Sequence, residues 1–412
     1  MKPAGPVRLT VPGRGVLVAA GALLVAAKLF GSGELAGLAM AAGLAVGVAT
    51  VVVRRAPMTW RGERWLAPSR VGVGDHAHAR LRFTNVGKTA ATCPAEAVDE
   101  VGAGPTPAAR CLVPSLAPGA MAEATYDLPT GRRGVLAVGP MTVSVADRFG
   151  LVARRVEVAG TARLVVHPRI HPVLALPGSP TREARRGSTT PARSPRGDDF
   201  FALREYEVGD DLRRVHWRST ARMGDLMLRQ DELRFGEMAT VLLDTRAAAH
   251  GGDSFERALE VAASIAAALV EDGRRLRFVT TGGFDVELDG SRAATSGSRG
   301  DGRWATVLEH LARVTPEDRD AVDRFALAVQ SIRRDPSGPL AAVVGRATPV
   351  EFAALGSLRP RLGLVMIADC GSAAATRSAP GAVVVPAAPG QDFAAAWNAA
   401  VLGCGRREVV RR

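Results

Sequence analysis

Two long apolar runs open the chain. Val16 to Phe30 is apolar apart from Lys28, and Leu35 to Val53 is apolar throughout, with the turn Gly31-Ser32-Gly33-Glu34 between them. In lipid every backbone polar group must be satisfied within its own segment, so runs of this kind read as helices. A span needs ~20 apolar residues; the second run is near that length, and the first reaches it once Gly13 to Gly15 is counted. Residues 1–55 therefore predict a transmembrane helical hairpin, with Lys28 close enough to its helix end to reach the head groups. Lys2, Arg8 and Arg14 precede the first run, Arg54, Arg55, Arg61 and Arg64 follow the second, and the turn carries no positive charge. Basic flanks stay on the cytoplasmic side, so the expectation is a multi-pass inner-membrane protein whose later domains are cytoplasmic. The rival is a cleaved signal peptide, with Ala39 to Ala42 as its cleavage region; the second run ending in Arg54-Arg55 speaks for an anchor instead.

From Trp60 to Ile170 the pattern shortens to alternating runs, such as His78-Ala79-Arg80-Leu81-Arg82-Phe83 and Val135 to Val145. Turn residues separate them: Asn85-Val86-Gly87, Ala117-Pro118-Gly119, Thr130-Gly131 and Asp147-Arg148-Phe149-Gly150-Leu151. Short strands at this spacing predict a β-sandwich over residues 60–170, read as a packing or spacer module. Residues 171–196 read as a basic linker, rich in Pro, Ser, Thr and Gly, with Arg182, Arg185, Arg186, Arg193 and Arg196 against Glu183. Its charge favours an anionic leaflet by about 1 kcal/mol per residue near the surface; a plain soluble tether is the alternative.

Strands and helices alternate over residues 236–405. Strands are expected at 239–244, 276–280, 340–344, 362–367 and 382–385. Asp253-x-x-Glu256 has the capping-box pattern, and Phe255, Leu259, Ala262, Ala266 and Leu269 share one helix face. Thr315-Pro316-Glu317-Asp318 and Thr348-Pro349-Val350-Glu351 read as two further helix starts, each with proline at the first position. A closing helix is expected from Asp392 to Leu402. Alternation of this kind implies a mostly parallel sheet covered on both faces.

Composition narrows the functional classes. The net charge of +12 comes almost wholly from arginine, and aromatics make up 5%. Such charge suits nucleic acid, anionic lipid or an acidic protein. Few rings are available to stack on single strands and no helix-turn-helix or zinc module is evident, so no nucleic acid is expected. Cys93, Cys111, Cys370 and Cys404 are scattered without a CxxC pair, which suggests neither a zinc site nor a disulfide framework. No G-x-S-x-G element, Walker loop or HExxH motif occurs.

Charge is densest over residues 197–235, GDDFFALREYEVGDDLRRVHWRSTARMGDLMLRQDELRF. Ala202 to Glu207 reads as extended, Asp210 or Asp211 as the cap of a helix from Leu212 to Arg222, and Leu226 to Arg229 as a returning strand. Arg214, Arg218 and Arg222 share a face and repel, so acidic counterparts are expected. Two readings stay open: a self-neutralising clamp between domains, or a site for an acidic ligand. His216 invites a general-base role but has no paired nucleophile.

These residues resemble the bacterial family catalogued as domain of unknown function number fifty-eight. The resemblance rests on Leu203-Arg204-Glu205-Tyr206, on Gly209-Asp210-Asp211 with Arg213, Arg214 and Trp217, and on Thr220-Ala221-Arg222-Met223-Gly224-Asp225-Leu226. Asp147-Arg148-Phe149-Gly150-Leu151 is similar to the family's DPFGL-like turn, with arginine in place of proline. The resemblance implies a membrane anchor, a β-sandwich and a von Willebrand factor A-like Rossmannoid α/β domain. It also implies a MoxR-type AAA+ ATPase as partner, and often a transglutaminase-like membrane protein. The candidate interaction residues are Arg204, Glu205, Tyr206, Gly209, Asp210, Asp211, Arg213, Arg214, Trp217, Arg218, Arg222 and Gly224. Such α/β domains often bind Mg²⁺ through Asp-x-Ser-x-Ser, and hard oxygen ligands suit that ion. Here Asp244 is followed by Arg246 and Ala248 at the two serine places. The expectation is a degenerate metal position without metal or other cofactor, in which Arg246 pairs with Asp244 and no later carboxylate is in reach; Asp369 keeps the metal alternative open. The function expected is a membrane-anchored cytoplasmic adaptor without catalysis, working with the ATPase on envelope complexes. A phosphate- or nucleic-acid-binding protein, or a hydrolase using Asp210, Asp211 and His216, is the alternative.

Overall fold

A computed structural model describes residues 5–102, 107–177, 202–205, 220–222, 227–230, 236–288, 301–317, 321–371 and 378–409. The chain forms two compact units, Met1–His167 and Pro168–Arg412.

The first unit begins with a strand that the sequence pattern does not announce. β1 (Val7–Leu9) is only three residues long and precedes the apolar helices α1 (Val11–Phe30) and α2 (Gly33–Arg55). Thr10 caps α1 by accepting the Gly13 N–H, and Gly31 ends it in the left-handed region at φ 65°. Both helices are long and apolar enough to cross a membrane. Large apolar side chains such as Val18, Val25, Leu29, Leu38 and Leu44 face outward, while Ala20, Ala27, Ala39 and Ala49 are buried.

The next strands are β2 (Trp60–Ala67), β3 (Arg70–Gly72), β4 (His78–Asn85), β5 (Ala95–Val101), β6 (Pro107–Val113), β7 (Met121–Asp127), β8 (Gly134–Ala146), β9 (Val152–Ala159) and β10 (Ala162–His167). One sheet runs β1-β9-β8-β10-β3, with β5 also paired to β8 and β6 to β5; the other is β2-β4-β7. Alternation explains the packing: on β4, Ala79, Leu81 and Phe83 turn inward while Arg80 turns to solvent. Trp60, Leu81, Phe83, Met141 and Val143 fill the space between the sheets. One buried polar knot interrupts it. Arg64 forks onto both oxygens of Asp99, donates to the Val138 carbonyl at 3.0 Å and the Gly160 carbonyl at 2.7 Å, and the Tyr126 hydroxyl donates to Asp99 at 2.7 Å. Burial, then the Asp99 carboxylate, push the Tyr126 pKa upward and keep it a donor.

In the second unit, β11 (Ala202–Glu205) and β12 (Met227–Gln230) pair antiparallel, joining the two extended stretches expected around the charged segment. The main sheet is built from β13 (Gly236–Leu243), β14 (Arg274–Thr280), β15 (Asp285–Leu288), β16 (Leu340–Val344), β17 (Val365–Asp369) and β18 (Val383–Pro386). Its order is β15-β14-β13-β16-β17-β18, with β15 antiparallel and all other pairs parallel. The helices are α3 (Ser254–Glu271), α4 (Asp301–Arg313), α5 (Ala321–Arg334), α6 (Pro349–Gly356), α7 (Arg359–Leu362) and α8 (Phe393–Val409). α3, α4 and α8 cover one face; α5, α6 and α7 cover the other.

Several expectations change. Segment 171–177, read as the start of a linker, packs on this unit: Leu176 is fully buried, and the Trp397 indole donates to the Leu174 carbonyl at 2.9 Å. Asp253 precedes α3 but makes no side-chain cap, because its ψ of 4° is not the extended value a cap needs. No helix opens at Thr315. Glu317 instead bridges to Arg246, its N–H donating to the Thr245 carbonyl at 2.9 Å, and the helix begins at Ala321. The sequence pattern announces neither β15 nor α4, whereas the Thr348 capping box forms as expected.

Candidate functional site

The sheet reverses its winding between β13 and β16, since β14 lies on one side of β13 and β16 on the other. Ligands of open α/β sheets gather beyond the carboxyl ends of the strands at such a point. Asp244 stands there, immediately after β13, and is wholly buried.

Its carboxylate is fully engaged by the chain itself. The Arg246 Nε donates to Oδ1 at 2.8 Å and Nη2 to Oδ2 at 2.7 Å, a two-point fork. The Thr281 hydroxyl and the Arg246 backbone N–H also donate to Oδ1, each at 3.2 Å. The remaining arm of the guanidinium, Nη1, donates to Glu351 Oε1. The guanidinium carbon also lies 4.6 Å from the centre of the Phe325 ring, a cation–π contact. Arg246 is only 6% exposed. Burial works against its charge, but the hydrogen bonds and charges of Asp244 and Glu351 outweigh that cost and raise its pKa.

Glu351 corrects the expectation that no carboxylate lies in reach beyond β16. It arrives from the first turn of α6, where the Thr348 box fixes it: its Oε2 accepts the Thr348 N–H at 2.7 Å. Burial opposes its charge, yet Arg246 and Thr348 together hold its carboxyl below the ordinary value. The sequence signal was present in Thr348-Pro349-Val350-Glu351, but a capping box announces a helix start rather than where that start lies.

The surrounding rim is tight. A Cβ on Gly345 would overlap the Ala249 carbonyl, and one on Gly371 would overlap the Gly345 backbone. His250 donates from Nε2 to the Asp244 carbonyl at 2.8 Å, and burial lowers its pKa. Asp369, at the end of β17, is buried and accepts the Gly371 N–H at 2.9 Å. Asp244 and Asp369 thus stand at strand ends, but the cation Asp244 faces is a covalently attached guanidinium. A Mg²⁺ ion needs several free oxygens at once, and the donor set around Asp244 does not fit one. Among the described residues no three His, Cys, Asp or Glu side chains group as metal ligands.

The charged-segment residues are placed only in part. Arg204 pairs in register with Leu228 and Glu205 with Met227. Arg222 lies in a helical stretch over 220–222 and is exposed. Tyr206, Gly209, Asp210, Asp211, Arg213, Arg214, Trp217, Arg218 and Gly224 lie outside the described residues, as does His216.

Comparison with solved structures gives weak likenesses. The CARDB domain of the PF1109 protein from Pyrococcus furiosus is 18% identical, with 26% of this chain and 89% of that chain covered at a TM-score of 0.20. A beta-glucosidase from Listeria innocua is 16% identical, with 24% of this chain and 16% of that chain covered at a TM-score of 0.16. Scores this low support neither a shared fold nor a shared activity. No curated protein matches the chain. The charged segment and the first half of the α/β sheet carry the likeness: residues 202–330 match the family described as "Protein of unknown function DUF58".

Proposed function

We propose that this protein is a membrane-anchored adaptor. The α/β unit, in this reading, is von Willebrand factor A-like, faces the cytoplasm and receives a MoxR-type AAA+ ATPase during assembly or activation of envelope complexes, with no reaction of its own. Two features of the first unit support the anchor. β1, before α1, pairs with β9, and Val53, at the end of α2, is buried against Leu151 and Val152. Both ends of the hairpin therefore return to one sandwich, as a chain crossing twice requires. The sheet order of the second unit, with its first strand central and one antiparallel edge, supports the von Willebrand factor A-like assignment. The partner is inferred from the family resemblance.

The observation that carries the adaptor reading is the Asp244–Arg246–Glu351 cluster. The position where a von Willebrand factor A-like domain often binds Mg²⁺ is occupied by the Arg246 guanidinium. Partner binding at this edge then rests on surface shape, without a bridging cation. Co-purification of the protein, in detergent, with a MoxR-type AAA+ ATPase is the test. Association in at least one nucleotide state is expected, and no association in any state would overturn the reading. Calorimetry should detect no Mg²⁺ binding that depends on Asp244; tight binding abolished by Asp244→Ala would overturn the fixed-charge account.

A further inference from the structure

The turn between β8 and β9, Asp147-Arg148-Phe149-Gly150-Leu151, sits at the foot of the helix hairpin. Most of its residues have a folding role. Asp147 accepts the N–H groups of Phe149 at 2.9 Å and Val152 at 2.8 Å. Gly150 supplies the left-handed φ of 66° and donates to the Asp147 carbonyl at 3.0 Å. Leu151 is buried with Val46, Ala49 and Val53 of α2. Its carbonyl accepts both the N–H and the hydroxyl of Thr10 at 3.0 Å, and the Thr10 hydroxyl also contacts the Gly150 carbonyl. A Cβ on Gly13 would collide with that Leu151 carbonyl.

Phe149 has no such role. It is 81% exposed, although apolar, and the Asp147 bonds hold it outward. Val11, the first residue of α1, is 83% exposed. Arg8, Arg14, Arg54, Arg55 and Arg148 are exposed as well, and the single carboxylate of the turn is consumed by backbone amides.

Helix length fixes the level of this turn. α1 has 20 residues, a rise of about 30 Å, which matches the ~30 Å hydrocarbon core. No helical length is left over, so Val11 lies at the edge of the hydrocarbon, and the turn bonded to Thr10 lies there too.

We propose that this turn is a membrane-interface anchor. Phe149 enters the boundary between acyl chains and head groups, and the flanking arginines meet the phosphates of anionic lipids. Aromatic rings favour that boundary, and basic residues are drawn to an anionic leaflet. The inference rests on the hairpin crossing the bilayer, and its test separates the two.

Full-length protein is reconstituted in vesicles of phosphatidylcholine and phosphatidylglycerol in equal parts, carrying lipid brominated either near the head group or near the chain end. Phe149→Trp, Leu44→Trp and Leu112→Trp are each read against the parent protein to subtract its native tryptophans. Leu44 is exposed in the middle of α2, and Leu112 is exposed on β6, at the far edge of the larger sheet. The expected result is deep quenching at position 44, shallow quenching with a blue-shifted emission at position 149, and neither at position 112. Quenching at 44 with a water-like, unquenched signal at 149 overturns the interface anchor and leaves the hairpin standing. An absence of quenching at both positions overturns both.

Discussion

Arg246 answers two carboxylates at once, and removing it leaves the wholly buried Asp244 without its counter-charge. Breaking one partner of a buried pair costs about 3–5 kcal/mol, so Arg246→Ala should lower the unfolding free energy by roughly that amount in chemical denaturation. Arg246→Lys should recover only part of the loss, because an ammonium cannot reproduce the planar fork. Glu351 adds a pH dependence. Its folded pKa lies below the ordinary 4.5, so the unfolded chain binds its proton first. Its contribution is complete above pH 4.5 and is lost as the pH falls through the folded value. His250, also lowered, works in the same direction below pH 6.5. Thermal melts of Glu351→Gln should therefore show a weaker decline than the parent below pH 4.5. At this scale the sequence was readable only where partners are neighbours. Asp244 and Arg246 are two apart, and their pairing follows from the strand end. Glu351 is over a hundred residues away in the chain, and no local pattern announces its reach.

Elements were legible wherever burial imposes a period. The parallel strands read as apolar runs because both faces are covered by helices. α3 showed its inward stripe because Phe255, Leu259, Ala262, Ala266 and Leu269 all face the sheet. Element ends were less legible, because backbone neighbours decide them. Thr348 caps α6 since its ψ of 160° aims the hydroxyl at the Glu351 N–H, whereas Asp253, with the same kind of signature, has the wrong ψ. Residues 315–317 failed as a helix start because Glu317 is drawn into a bridge with Arg246. Segment 171–177 looked like linker because its anchors, Val173 and Leu176, are few and flanked by prolines, yet they find a ready apolar face. The charged segment is the converse case: its outer strands were legible, and its interior lies outside the described residues. A prediction belongs here too. Gly13→Leu should force α1 off the Leu151 carbonyl and lower the melting temperature of the purified protein, while Gly15→Leu, whose Cβ position is open, should leave it nearly unchanged.

For the whole molecule the strongest expectation concerns sidedness. Reporter fusions at the C-terminus should be active only as cytoplasmic reporters, and an insertion in Gly31-Ser32-Gly33 should report the opposite side. Arginine placement suggests which side, and β1 bears on a separate point, that the chain start and the sandwich share one side. The strand is made before either apolar helix, but its partner β9 emerges only after both. A molecule threaded the wrong way for its first helix alone strands Val7–Leu9 across the bilayer and leaves the β9 edge bare. If the hairpin crosses the bilayer, only chains whose leading residues stay on the side of the sandwich can close the sheet along β9.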